Sequence, residues 1–132
     1  HSRGRLSAAV CGNVRALPFR DGSVDVVVCS QLLHHFQAHE LGPVVRELNR
    51  VARALVVISD LRRSWLAAAG FWLASYPLNF HPVTRHDGVV SVFRGFTAKE
   101  LHDAVVDATG IAPRVERRLG FRLTASWTPR TA

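Results

Sequence analysis

The clearest pattern along the chain is an alternation of short apolar runs with longer segments of helical period. Val24 to Cys29 holds five apolar residues in six, with Val26, Val27 and Val28 consecutive. That run is too short for a helix and rich in β-branched residues, so it predicts a strand buried on both faces of a parallel sheet. The turn signal Asp21-Gly22-Ser23 precedes it, and polar Ser30-Gln31 follows. Glu40 to Val51 carries Val44, Val45, Leu48 and Val51 on one helical face, with Pro43 in the first turn. Arg46, Glu47, Asn49 and Arg50 fall opposite and are expected to face solvent. Arg53 to Ser59 predicts a second buried strand that ends at Asp60. Strand, helix and strand at this length predict a βαβ unit with a right-handed crossover.

Further along, Ser64 to Tyr76 is apolar nearly all round and predicts a helix. It leads into a Pro-bounded segment whose polar part, Thr84-Arg85-His86-Asp87-Gly88, is expected to be loop. Thr97-Ala98-Lys99-Glu100 is a capping box, flanked by Phe96 and Leu101 as a hydrophobic staple. The helix it opens should run to about Thr109, with Gly110 at its C-terminal stop. Val115 to Trp127, broken near Gly120, predicts an antiparallel hairpin with apolar residues at odd positions. Leu6 to Cys11 is a short apolar run that predicts one more strand, feeding Gly12-Asn13. The fold class is therefore α/β, a mixed and largely parallel sheet closed by a C-terminal antiparallel hairpin.

At 132 residues the chain is one domain, and a hydrophobic content of 48% excludes a disordered one. The net charge of +7 changes the picture little. All but one of the 17 basic residues are arginine, the exception being Lys99, and the longest basic groups are the pairs Arg62-Arg63 and Arg117-Arg118. No basic stripe interleaved with aromatics is present, which argues against a nucleic-acid surface. Cys11 and Cys29 are too few for a metal site or a disulfide framework and are expected to be buried free thiols in a reducing, cytoplasmic setting. The most apolar segment, Trp65 to Ala74, is about half a membrane span. There is no methionine, so the chain is expected to be part of a longer one.

Two clusters carry candidate chemistry. Asn13 falls just past the predicted strand end, where its amide oxygen either accepts from a ligand amine or closes a turn after Gly12. His34 and His35 follow the strand that ends at Ser30. Adjacent side chains diverge, so one imidazole at most faces a substrate as a base, the alternative being local packing. His39 adds no believable metal site to the pair.

Together, Asn13-Val14, Leu17-Pro18-Phe19, Asp21-Gly22-Ser23, Val24-Asp25 and the strand Val26–Cys29 resemble, in residue type and spacing, the central motifs of class I S-adenosylmethionine-dependent methyltransferases. The resemblance is greatest to the small-molecule group that includes the ubiquinone and menaquinone C-methyltransferases. It spans roughly Leu6 to Val51 and continues more loosely to the end. It implies a Rossmann-like sheet, S-adenosylmethionine as cofactor, and Asn13, Val14 and Ser30 as its contacts. Asn13 would meet the adenine amino group and the Val14 N–H a ring nitrogen. The resemblance also implies a chemical role for a histidine in the loop after Ser30, a structural role for Asp25 and a substrate-covering insertion over residues 60–95. Asp60, His86 and Asp87 are the candidate acceptor contacts. The expected reaction is methylation of a small, largely apolar acceptor on oxygen or carbon. Such enzymes begin with a strand, a glycine-rich loop and an acidic ribose contact. Gly4, Gly12 and Gly22 are isolated, so those parts, the central strand included, are expected upstream of His1. The chain alone would then be inactive and expose an apolar sheet edge. Two other readings stay open: a regulatory module that kept the fold without the cofactor site, and an RNA methyltransferase. Ser30-Gln31-Leu32-Leu33 stands where enzymes acting on base amines carry an Asn/Asp-Pro-Pro-aromatic motif, which disfavours the second.

Overall fold

The computed structural model describes residues 10–129. The expected strand at Leu6–Cys11 lies outside these except for Val10 and Cys11, which are exposed and not in a strand.

The described chain runs β1 (Val24–Ser30), a short 3₁₀ turn (Leu33–His35), α1 (Ala38–Val51), β2 (Ala52–Leu61), α2 (Trp65–Ala74), α3 (Pro82–Phe93), α4 (Ala98–Thr109), β3 (Arg114–Arg118) and β4 (Arg122–Trp127). The sheet order is β1-β2-β4-β3, with β1 parallel to β2 and the C-terminal hairpin antiparallel. This is the predicted α/β class, a mixed sheet with its closing hairpin, but among the described strands only β1–β2 is parallel, where a largely parallel sheet was expected.

Register places Val27, Cys29, Val56, Ile58, Asp60, Leu123, Ala125 and Trp127 on one face. Buried Val44, Val45 and Leu48 of α1 and Leu101 and Val105 of α4 complete the core with them. Both helices are set by their first turns. The Glu40 carboxylate accepts from the Gln37 N–H at 2.9 Å, and Thr97 and Glu100 exchange the two bonds of a capping box. Gly110 stops α4 with φ +69°, the left-handed conformation that glycine adopts without a Cβ penalty.

The opposite face differs from expectation. Val26 and Val28, expected to be buried, are 47% and 66% exposed. β1 is the edge strand, and no helix among the described elements covers that face. An unbroken apolar run marks a strand built to be covered twice, and here one cover is supplied. The expected exposed apolar edge is thus present.

The polar stretch 84–88 is helix, not loop. Pro82 supplies the first helical residue, where its missing N–H costs nothing, and the His81 ring accepts from the Val83 N–H. Gly88 within α3 lets α2 come close: a Cβ there would sit 2.1 Å from the Phe71 ring. Of the α1 residues expected to face solvent, Arg46 does. Asn49 instead accepts from the Trp127 indole N–H at 2.9 Å, while Glu47 and Arg50 bind the loop before β1. Asp25 pairs with the Arg53 guanidinium on the surface and takes no backbone donor among the described residues.

Candidate functional site

Past Ser30 the chain turns through Gln31 at φ +51°, and the Gln31 N–H donates to the Ser59 carbonyl at 2.9 Å. This ties the carboxyl ends of β1 and β2 together and starts the turn that carries the two histidines. Asp60, fully buried near the end of β2, anchors that turn. Its Oδ2 accepts from the Leu33 N–H (2.7 Å), and its Oδ1 from the Leu61 N–H (2.7 Å). Nδ1 of the buried His34 lies 2.7 Å from Oδ1 as well. A carboxylate only accepts, so Nδ1 is the donor of this bond and Nε2 is left facing away from Asp60. His35 is exposed, its ring 4.1 Å from that of His34. The fold thus separates two residues that the sequence left equivalent.

His34 and His35 open onto a cleft of about 390 Å³ that His86, Asp87, Val90 and Ser91 of α3 complete together with Arg94 just after it. Four of the candidate residues therefore meet in one place. Asp60 does not line this cleft: it was expected to touch the acceptor, and it stands behind His34. The second wall depends on how α3 joins α4. The Arg63 guanidinium donates to the carbonyls of Phe93 and Gly95, at 3.0 Å each, and reaches Glu100. Phe36, Leu41 and Phe96, with Arg63 and the carboxylates of Glu100, Asp103 and Asp107, line an adjoining cleft that shares Arg94.

On the other side of β1's carboxyl end, Val14, Leu17, Val27, Val28, Cys29, Ser30, Leu32 and Leu48 line an apolar groove of about 380 Å³. Val14 and Ser30 both belong to it. Asn13 stands at its approach and caps its own turn: its side-chain oxygen accepts from the Arg15 N–H and its carbonyl from the Ala16 N–H, both at 2.9 Å. Arg50 clamps the loop between them, donating to the Leu17 and Phe19 carbonyls and pairing with Asp21 and Glu47. Glu47 accepts from the Leu17 N–H at 2.6 Å. The Arg50 guanidinium holds the Glu47 carboxyl below the usual range, and its backbone partner Leu17 adds to this. Sequence reasoning missed both residues. The available signal was a Glu-x-x-Arg pair beside an expected solvent face.

Burial pushes the Cys29 thiol up to about 11, with the Asp60 charge adding to it; Cys11, expected to be buried, is exposed. A thiol titration of the folded chain should therefore show one fast and one protected thiol. The ordinary thiol value is 9.0, so the unfolded chain ionises Cys29 first as pH rises. Stability present below pH 9 should fall between about pH 9 and 11, and Cys29→Ala should flatten that fall in denaturant titrations. A pH-independent stability over this window would contradict the burial.

Among the described residues no three His, Cys, Asp or Glu side chains cluster as metal ligands, and no helix is long and apolar enough to cross a membrane.

The family model described as "Methyltransferase domain" matches residues 1–57. No curated protein matches the chain. Solved structures share its fold. A SAM-dependent methyltransferase from Aquifex aeolicus is 17% identical with a TM-score of 0.65, over 93% of this chain and 55% of that one. A protein from Pyrococcus horikoshii is 15% identical at 0.64, over 98% and 63%. Magnesium protoporphyrin IX methyltransferase from Synechocystis, solved with bound SAH, is 14% identical at 0.56, over 90% and 49%. The chain spans between about half and two thirds of their length. Its fold is the Rossmann-like α/β fold of SAM-dependent methyltransferases.

Proposed function

We propose that this chain is the acceptor-side part of an S-adenosylmethionine-dependent methyltransferase acting on a small, largely apolar acceptor with an ionisable hydroxyl or carbon. One observation carries the reading. An apolar groove and an Asp60-oriented imidazole flank the carboxyl end of the same strand, where open α/β sheets take ligands. The fold likeness and the family match over residues 1–57 support it.

The groove suits the flat, weakly polar adenine of the cofactor, with Val14 and Ser30 on its walls and Asn13 at its approach. When bound, the cofactor supplies an electrophilic methyl group on a sulfonium. Everything else falls to this chain. Asp60 fixes the His34 tautomer and orients the ring. Nε2 of His34 takes the acceptor's proton. His86, Asp87 and Arg94 hold the acceptor's polar end, and Phe36, Leu41 and Phe96 receive its apolar body. Residues 60–95 form the cover of the acceptor site. Positioning two partners in a site shielded from water supplies most of such a rate. The spacing of Leu17-Pro18-Phe19 before β1 favours the quinone C-methyltransferase group within this class.

The test is calorimetric titration of S-adenosylhomocysteine into the chain and into a form extended upstream of His1. Binding to the extended form, lost in Val28→Arg at the exposed groove wall, is expected. His34→Ala should keep that affinity while methyl transfer to a panel of phenols and quinols drops 10²- to 10⁴-fold, the usual range for a lost general base. Absence of binding by both forms would overturn the assignment.

A further inference from the structure

The helix α2 is built inside out. Its inward side is made of small residues, Ala68 and Ser75 being buried, with Phe71 seated on Gly88 of α3. Its largest side chains point outward. Trp65 is 70% exposed, Leu73 68%, Leu66 57% and Trp72 half, and Tyr76, just past the helix, is also half exposed. At helical spacing the four within α2 form one continuous face, and Leu78 beyond the helix is exposed as well. Monomeric proteins rarely leave such a patch to water.

What lies beside the patch narrows its occupant. From Ser64 to Phe80 there is no charged residue, and the charge that reaches the patch is Arg85. Arg85 stacks on the Tyr76 ring at 3.9 Å. The whole chain carries +7, so a second copy would be repelled at long range and an anionic surface attracted. A ten-residue helix is about 15 Å long, too short to cross a bilayer but suited to lie in its interface. Tryptophan and tyrosine favour that depth, and arginine beside them favours anionic headgroups.

We propose that the exposed face of α2, with Arg85 beside it and the net positive charge of the chain behind it, docks this protein on the surface of an anionic lipid bilayer. The face lies opposite the Phe71–Gly88 contact, so docking leaves the helix pair intact. It needs no methyl transfer and stands independently of it.

Co-sedimentation tests this, using vesicles of phosphatidylglycerol with phosphatidylcholine against phosphatidylcholine alone, for both the chain and its upstream-extended form. Both forms should pellet with the anionic vesicles, and at least tenfold less in high salt or in the Trp65→Ser/Leu73→Ser variant. Circular dichroism should show that variant to be folded, since neither side chain is in the core. Tryptophan emission should shift to the blue on binding. The shift should vanish in Trp65→Phe/Trp72→Phe, which leaves the buried Trp127 as a silent reporter. Equal binding by the serine variant would overturn the proposal. So would sedimentation of the short form only, which would mean that further chain covers α2. Concentration-dependent self-association abolished by the same serines, without vesicle binding, would assign the face to a second copy instead.

Discussion

Asp60→Ala is expected to lose about 2–6 kcal/mol of stability in urea denaturation, because it leaves two backbone N–H donors without their acceptor at about 1–3 kcal/mol each. Its two oxygens accept from two backbone N–H groups and face one ring nitrogen. The total is a large share of what a domain of this size has to lose. Asp60→Asn keeps the shape but offers only one accepting oxygen, so it should fall between wild type and alanine. Asparagine also leaves either ring tautomer of His34 tolerable. In the proposed enzyme its transfer rate should therefore drop more than its stability predicts. A change under about 1 kcal/mol for alanine would show that the turn after β1 is held by something else.

Gly95→Ala should cost about 1–3 kcal/mol, the range for overpacking, and displace α3. Here the glycine supplies space and not an unusual backbone angle. A Cβ would lie 2.7 Å from the Leu61 carbonyl oxygen, 2.9 Å from the Arg63 nitrogen and 3.0 Å from the Arg62 carbonyl carbon. These are backbone atoms and cannot rotate away. The same strip carries the Phe96 N–H to Leu61 carbonyl bond (2.9 Å) and the Arg63 N–H to Phe96 carbonyl bond (3.0 Å). Methyl insertion there forces the chain end of β2 away from the junction of α3 and α4. The expected signature is a lowered thermal midpoint with faster hydrogen exchange at Arg63 and Phe96. Unchanged exchange at those two amides would refute the contact.

The elements that sequence reasoning found are those whose signals are local. The capping box at Thr97, the stop at Gly110 and the periodic valines of α1 need only neighbouring residues, and α1, α4 and the hairpin lie within two residues of their expected bounds. α3 was read as loop across 84–88 because four consecutive polar residues mask the start that Pro82 provides. The exposure of β1 was not legible in its own apolar run, which states what a strand needs and not which neighbours it has; it followed only from the expectation that other strands lie upstream. The largest gap was in the site. That His34 and not His35 is held by a buried carboxylate depends on Asp60, 26 residues away in sequence. The roles of Glu47 and Arg50 depend on a loop about 30 residues upstream. Side chains that look solvent-facing by helical period become structural once the sheet brings such partners near.

The strand order also has a consequence for the time course of synthesis. β2 pairs with β1, made just before it, and with β4, the last of the described strands. Val56 sits opposite Trp127, whose indole reaches back 78 residues to Asn49. One flank of β2 is satisfied early on the ribosome, while the other waits for some sixty further residues to emerge. Throughout that interval both flanks of the nascent β1-β2 pair can recruit other strands. This half of the fold should therefore depend on chaperones that shield unpaired strands until the final hairpin has left the exit tunnel.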